Sequence, residues 1–120
     1  MLRAQGAQAI VVVVHEGGYT SGGYNDRDCR GMTGGIVPVL EKPDAAVDVL
    51  VSGHTHRAYI CDYGEINPAR PFLLTSAGQY GTLLTAIDLD IDARTGRVTA
   101  KRASNISKSS GAEAPLCCRS

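Results

Sequence analysis

The strongest constraint on the fold is a run of six apolar residues near the start of the chain. Residues 9–14 read Ala-Ile-Val-Val-Val-Val and stop at His15-Glu16-Gly17-Gly18. β-Branched side chains are stiff about χ1 and favour an extended backbone. An apolar run without polar alternation marks a strand covered on both faces. Such a strand needs neighbours beside it and layers above and below. In a chain of 120 residues that leaves one α/β domain with a modest core. A second strand is expected at residues 47–52 (VDVLVS), with Val47, Val49 and Val51 on one face and Asp48, Leu50 and Ser52 on the other. It ends at Gly53-His54-Thr55-His56. The link between the two is long enough for a crossover, so they are expected to run parallel.

Residues 71–75 (PFLLT) form a third expected strand, followed by the loop Ser76-Ala77-Gly78-Gln79-Tyr80-Gly81. Residues 82–92 alternate, with Leu83, Thr85, Ile87, Leu89 and Ile91 against Leu84, Ala86, Asp88, Asp90 and Asp92. That pattern predicts a strand with one wet face. Ala93-Arg94-Thr95-Gly96 is a turn and residues 97–103 a returning strand, giving a hairpin. Residues 19–35 are rich in Gly, Ser, Asn and Asp and read as a long surface loop, a length that usually serves function. Within residues 36–47 a short helix is expected, with Thr33 as a candidate cap, Pro38 confined to its first turn and Pro43 ending it. The domain is expected to occupy residues 1–105, with a polar, flexible tail at 106–120.

Lysine plus arginine equals aspartate plus glutamate, twelve each, so the net charge is zero. This argues against a nucleic-acid or membrane-surface binder, which normally needs a basic excess. No apolar run approaches the roughly 20 residues that span a bilayer, and no secretory signal is visible. A hydrophobic fraction of 43% is too high for a disordered chain. Cys29, Cys61, Cys117 and Cys118 form no Cys-x-x-Cys pair. Two readings stand: unpaired thiols, or a Cys29–Cys61 disulfide in an oxidising compartment. Adjacent Cys117 and Cys118 would bond to each other only with strain, so their oxidation would join two chains.

The chain has three histidines, and each follows a strand: His15 closes VVVVH, and His54 and His56 lie in the turn after VDVLVS. Ligands of open α/β sheets gather beyond the carboxyl ends of parallel strands. Two parallel neighbours would therefore present all three imidazoles to one crevice, fit for a metal or a phosphate group. Glu16 is a candidate to orient an imidazole, against a solvated or structural role. Asn25 and Arg27 are candidate phosphate contacts in the long loop. Gln79 and Tyr80 are candidate pocket residues after the third strand.

These segments together resemble the calcineurin-like metallophosphoesterases. The resemblance rests on VVVVH with Glu16-Gly17-Gly18, on VDVLVS with Gly53-His54-Thr55-His56, and on Ser76-Ala77-Gly78-Gln79-Tyr80-Gly81 before an alternating strand. It points to the 5'-nucleotidase branch, which includes bifunctional nucleotidase and cyclic-phosphodiesterase enzymes, and it runs from about residue 2 to about residue 105. It implies a partial four-layer α/β-β/α sandwich with a C-terminal antiparallel hairpin. It also implies divalent metal ions (Zn, Mn, Co or Fe), with His15 and His54 on one ion and His56 on the other. The nucleophile would be a metal-bound water, the substrate a nucleotide or other phosphomonoester, and the location periplasmic or extracellular. Two such ions would stabilise both the attacking and the leaving oxygen.

The family's Asp-x-His, Gly-Asp-x-x-Asp and Gly-Asn-His-Glu/Asp motifs do not occur. The chain thus resembles only the C-terminal half of that catalytic domain, and no catalytic side chain of its own is expected. A half-domain would leave apolar faces and strand edges bare, which favours a homo-oligomer or a strand-exchanged dimer. The alternatives are a non-catalytic fragment that folds, oligomerises and binds at most one metal, and a zinc hydrolase of another kind built on three histidines.

Overall fold

The computed structural model describes residues 1–107; residues 108–120, with Cys117, Cys118 and most of the expected tail, lie outside the described residues. Strands β1 (Val11–Val13), β2 (Val49–Val51), β3 (Ala58–Asp62) and β4 (Leu73–Ala77) form one sheet in the order β1-β2-β4-β3. β1, β2 and β4 run parallel, as expected for the first two, and β3 is antiparallel to β4. Strands β5 (Leu83–Asp92) and β6 (Arg97–Ser107) pair as the antiparallel hairpin. Two short helices, α1 (Val37–Leu40) and α2 (Tyr63–Ile66), complete an α/β domain. The described residues build a helix layer, a mixed sheet and a hairpin layer; a four-layer sandwich is not seen in them.

The register assigns each side chain to a face. Val12, Leu50, Leu74 and Cys61 share one face, because their strands pair residue for residue. There they meet Ile36, Leu40, Tyr59, Tyr63 and Phe72 in the larger core. On the opposite face Ile60 and Leu73 lie beneath Ala103, with Ile87 packed alongside. β3 was not foreseen from the sequence. Its residues are buried on both sides in turn, Tyr59 and Cys61 toward the helices and Ile60 toward the hairpin, so no polar alternation announces it.

Two expectations are corrected. β1 is not covered on both faces: it is an edge strand, and Val11 and Val13 are 51% and 76% exposed. Only Ile10, Val12 and Val14 pack against a core, because the hairpin settles on β3 and β4, at the far side of the sheet. The alternation of β5 does not persist to residue 92 either. A register shift between Asp90 and Ile91 turns the strand, leaving Ile91 41% exposed and Asp92 half-buried.

The other differences are of length. α1 is a single turn that begins on Pro38's side and stops at Leu40, before Pro43. β6 continues to Ser107, past the expected boundary at 105, because Asn105 is buried and bonded.

One ionisable pair makes a pH prediction. The Tyr63 hydroxyl donates to Glu41 Oε1 at 2.5 Å, and Tyr63 is buried against Phe72. Burial, then the hydrogen bond to the Glu41 carboxylate, pushes the phenol from its ordinary 10.0 up to about 12. A pKa raised on folding favours the protonated form of the native state. Its stabilisation is therefore complete below about pH 10 and is lost as pH rises toward 12. Tyr63→Phe is expected to cost about 1–2 kcal/mol at neutral pH and to flatten the fall in stability above pH 10. Urea denaturation midpoints at pH 7, 9 and 10.5 check this; identical pH profiles for the two proteins would refute it.

Candidate functional site

The site lies beyond the carboxyl ends of β1, β2 and β4, where two turns are latched together. The turn after β1 meets the turn after β2 through Gly17: a Cβ there would collide with the Gly53 carbonyl and come within 2.7 Å of the Thr55 hydroxyl. Gly53 N–H donates to the Glu16 carbonyl at 3.0 Å, and Thr55 Oγ1 donates to the Gly18 carbonyl at 2.8 Å. Beneath them, the buried Ser52 hydroxyl donates to the Thr75 carbonyl. The Tyr59 hydroxyl, 2.6 Å from Ser52 Oγ, donates to it and accepts from Gly18 N–H. Ser52 and Tyr59 thus tie β2, β3, β4 and the first turn into one rigid floor.

On this floor stand two imidazoles. His15 Nε2 and His54 Nδ1 are 3.1 Å apart, with ring centroids 4.8 Å apart and planes at 65°. Which of the two nitrogens donates is set by the tautomers of the rings. Both rings are exposed. His56 is not in that pair: its ring meets Tyr80 edge-on, centroids 5.5 Å apart. His54 and His56 both have left-handed backbones, φ 69° and 59°. For residues other than glycine this costs about 1–2 kcal/mol each, and strain of this kind concentrates at functional sites.

The remaining candidates are placed as follows. Asn25 is an anchor of the long loop: its carboxamide bonds both the N–H and the C=O of Asn105. Arg27 is exposed, and its backbone carbonyl accepts from Asp62 N–H. Glu16 turns its carboxylate onto Gly17 N–H, beside Gly35, and is not bonded to an imidazole. Gln79 is exposed, and its carbonyl takes both the N–H and the hydroxyl of Thr82. Tyr80 is 84% exposed with φ 55°. Among the described residues no group of three or more His, Cys, Asp or Glu is placed to hold a metal ion.

Residues the sequence reading passed over hold the long loop in place. Asn105 Nδ2 donates to the carbonyls of Tyr24 and Ser76, and its Oδ1 accepts from Thr85 Oγ1. Cys29 and Cys61 are paired as a disulfide, Cα atoms 5.3 Å apart, in line with the second reading of these cysteines. Tyr19 and Thr33 pair as an antiparallel bridge at the loop's stem. The sequence carries no signal for Asn105, which lies past the strand expected at residues 97–103.

No protein-family model matches the sequence. The chain is similar to a protein named Endonuclease YhcR, from Bacillus subtilis (strain 168), at 28% identity over 102 residues. That match covers 85% of this chain and 7% of the relative, so the chain spans only a small part of the relative's length.

Proposed function

We propose that this chain carries part of the catalytic centre of a metal-dependent phosphoester hydrolase of the 5'-nucleotidase type, within the calcineurin-like metallophosphoesterases. The observation that carries the reading is the convergence of His15 and His54 from adjacent parallel strands to a nitrogen separation of 3.1 Å. Two imidazoles on one tetrahedral ion, each bound at about 2.0–2.1 Å, have nitrogens roughly 3.3 Å apart. The separation matches two positions of a first-row metal's shell once the proton shared by the two nitrogens has left. A bound ion of this kind would acidify a water molecule and offset phosphate charge. The chain's own part is to hold two nitrogens at fixed spacing on a floor braced by Ser52, Tyr59 and Thr55. The similarity to a protein named as an endonuclease supports phosphate esters as the substrate class. The Cys29–Cys61 bridge supports an oxidising compartment.

A second reading has its own observation. Only two imidazoles converge, and His56 stands apart on Tyr80. This favours a folded segment that binds at most one ion and needs further chain to turn over substrate. One experiment separates the readings. The chain is titrated calorimetrically with Mn²⁺, Co²⁺ and Zn²⁺, then assayed with AMP, p-nitrophenyl phosphate and a short single-stranded oligonucleotide. Metal binding and hydrolysis that both vanish in His54→Ala support the hydrolase. Metal binding without hydrolysis supports the second reading. An unchanged metal isotherm in His54→Ala overturns both.

A further inference from the structure

The backbone groups of β1 divide by parity. Asp48 N–H and Val49 N–H donate to the Ile10 carbonyl, and Val14 N–H donates to the Val51 carbonyl. Ile10 and Val14 therefore turn their backbone groups toward β2, and Val12, two residues from each, does the same. Val11 and Val13 turn theirs the other way, where none of the described strands lies. Each presents one N–H and one C=O on that open side. Their side chains stand on the face of Ile60 and Leu73 but beyond the reach of the hairpin, 51% and 76% exposed. On the opposite face an apolar groove of about 660 Å³ lies against β1, with Leu2, Ile10, Val12, Ala45 and Val47 among its walls.

Two such edges complement each other. Set antiparallel about a two-fold axis at Val12, Val11 stands opposite the partner's Val13, and Val13 opposite the partner's Val11. Both are hydrogen-bonded pairs that exchange two bonds each, so every outward group of Val11 and Val13 is used. Val12 faces its own copy in the non-hydrogen-bonded position between them, Cα atoms about 4.5 Å apart. The axis is perpendicular to the sheet, so like faces meet. The four bare valines gather on one face, and the two apolar grooves adjoin on the other. A parallel arrangement turns one sheet over and puts the bare valines on opposite faces. Residues 9–14 carry no charge and the chain's net charge is zero, so no like charges oppose the approach. A self-complementary contact of this kind closes after two copies.

We infer that the partner of β1 is a second copy of this chain, joined antiparallel through Val11–Val13 into one continuous sheet. A seam of three residues falls at the small end of interface sizes, under roughly 1,200 Å². A dissociation constant of about 10 µM to 1 mM is expected. The two His15–His54 pairs, each beyond the carboxyl end of its own β1, then lie at opposite ends of the joined strands.

The test uses the full chain carrying Cys117→Ser and Cys118→Ser, so that no thiol near the C-terminus joins two copies. Sedimentation equilibrium from about 10 µM to about 1 mM is expected to show a reversible dimer. Val13→Lys, at a position 76% exposed, should weaken it about tenfold or more, and circular dichroism verifies folding. Under mild oxidation Val12→Cys should cross-link two copies, since Cα atoms about 4.5 Å apart suit a disulfide. Val11→Cys should not, because the two copies of residue 11 stand about 8 Å apart, too far for a disulfide. A chain that stays monomeric at the highest concentration overturns the inference and leaves β1 to a segment of different sequence. A dimer unchanged by Val13→Lys uses another surface and overturns it too. Failure of Val12→Cys to cross-link, or preferential cross-linking of Val11→Cys, overturns the antiparallel register.

Discussion

Alanine at position 48 is expected to lower the stability of the chain by about 3 kcal/mol, among the largest effects of any single substitution here. Asp48 is 5% exposed and stands where three elements meet. Its Oδ2 accepts from Arg3 Nη2 and from the Ile10 N–H, both at 2.9 Å, and its Oδ1 lies 3.7 Å from Lys101 Nζ. Lys101 in turn donates to the Pro71 carbonyl. One carboxylate thus fastens the first turn, the start of β1 and the hairpin to the head of β2. Removing it leaves the Ile10 N–H without an acceptor and takes the counter-charge from Arg3 and Lys101, which keep only backbone carbonyls. Asp48→Asn keeps the shape and one oxygen, and should lose about half as much. Urea denaturation of both variants checks the order. Equal stability of Asp48→Ala and wild type would show that the cluster is a solvated surface group.

Serine at both positions 29 and 61 is expected to cost about 3–4 kcal/mol, from the entropy of a loop closed across 32 residues, and to lower the melting temperature by roughly 15 °C. The loss should be local as well as global. The bridge is one of several fastenings of residues 19–35, along with Asn25 on Asn105, the Tyr19–Thr33 pair and Asp62 N–H on the Arg27 carbonyl. Without it, amide exchange should accelerate first near Arg27 and Asp62 and later at Tyr19 and Thr33. Hydrogen exchange on the reduced and oxidised chain distinguishes this order. Uniform acceleration over the whole sheet would mean that the bridge acts only on the unfolded state.

How far the sequence could be read follows from which signals are local. β1, β2 and the hairpin carry theirs in their own residues: valine runs, alternation, and a Gly-containing turn at Gly96. The parallel pairing of β1 with β2 follows from the length of the link, and the approach of His15 to His54 follows from that pairing. What escaped was set by partners distant in sequence. β3 lies between two cores and so has no periodicity of its own. Asn25 was legible as a polar loop residue, but its role is decided by Asn105, eighty residues away. The separation of His56 from the other two rings depends on left-handed backbones at 54 and 56, a conformation no residue type at those positions announces. The exposure of Val11 and Val13 depends on where the hairpin lands, and no property of β1 encodes that.

The order of the sheet also governs where new polypeptide can be accommodated. Along its outer margin β1 carries no charge, proline or bulge between Val11 and Val13, the devices by which proteins usually close such a margin. An additional segment could lie alongside that margin, widen the sheet and shelter the two bare valines without displacing a hydrogen bond already made. The molecule is therefore extensible on its first flank and finished on the other, where β3 lies beneath β6 and is bolted to the long loop.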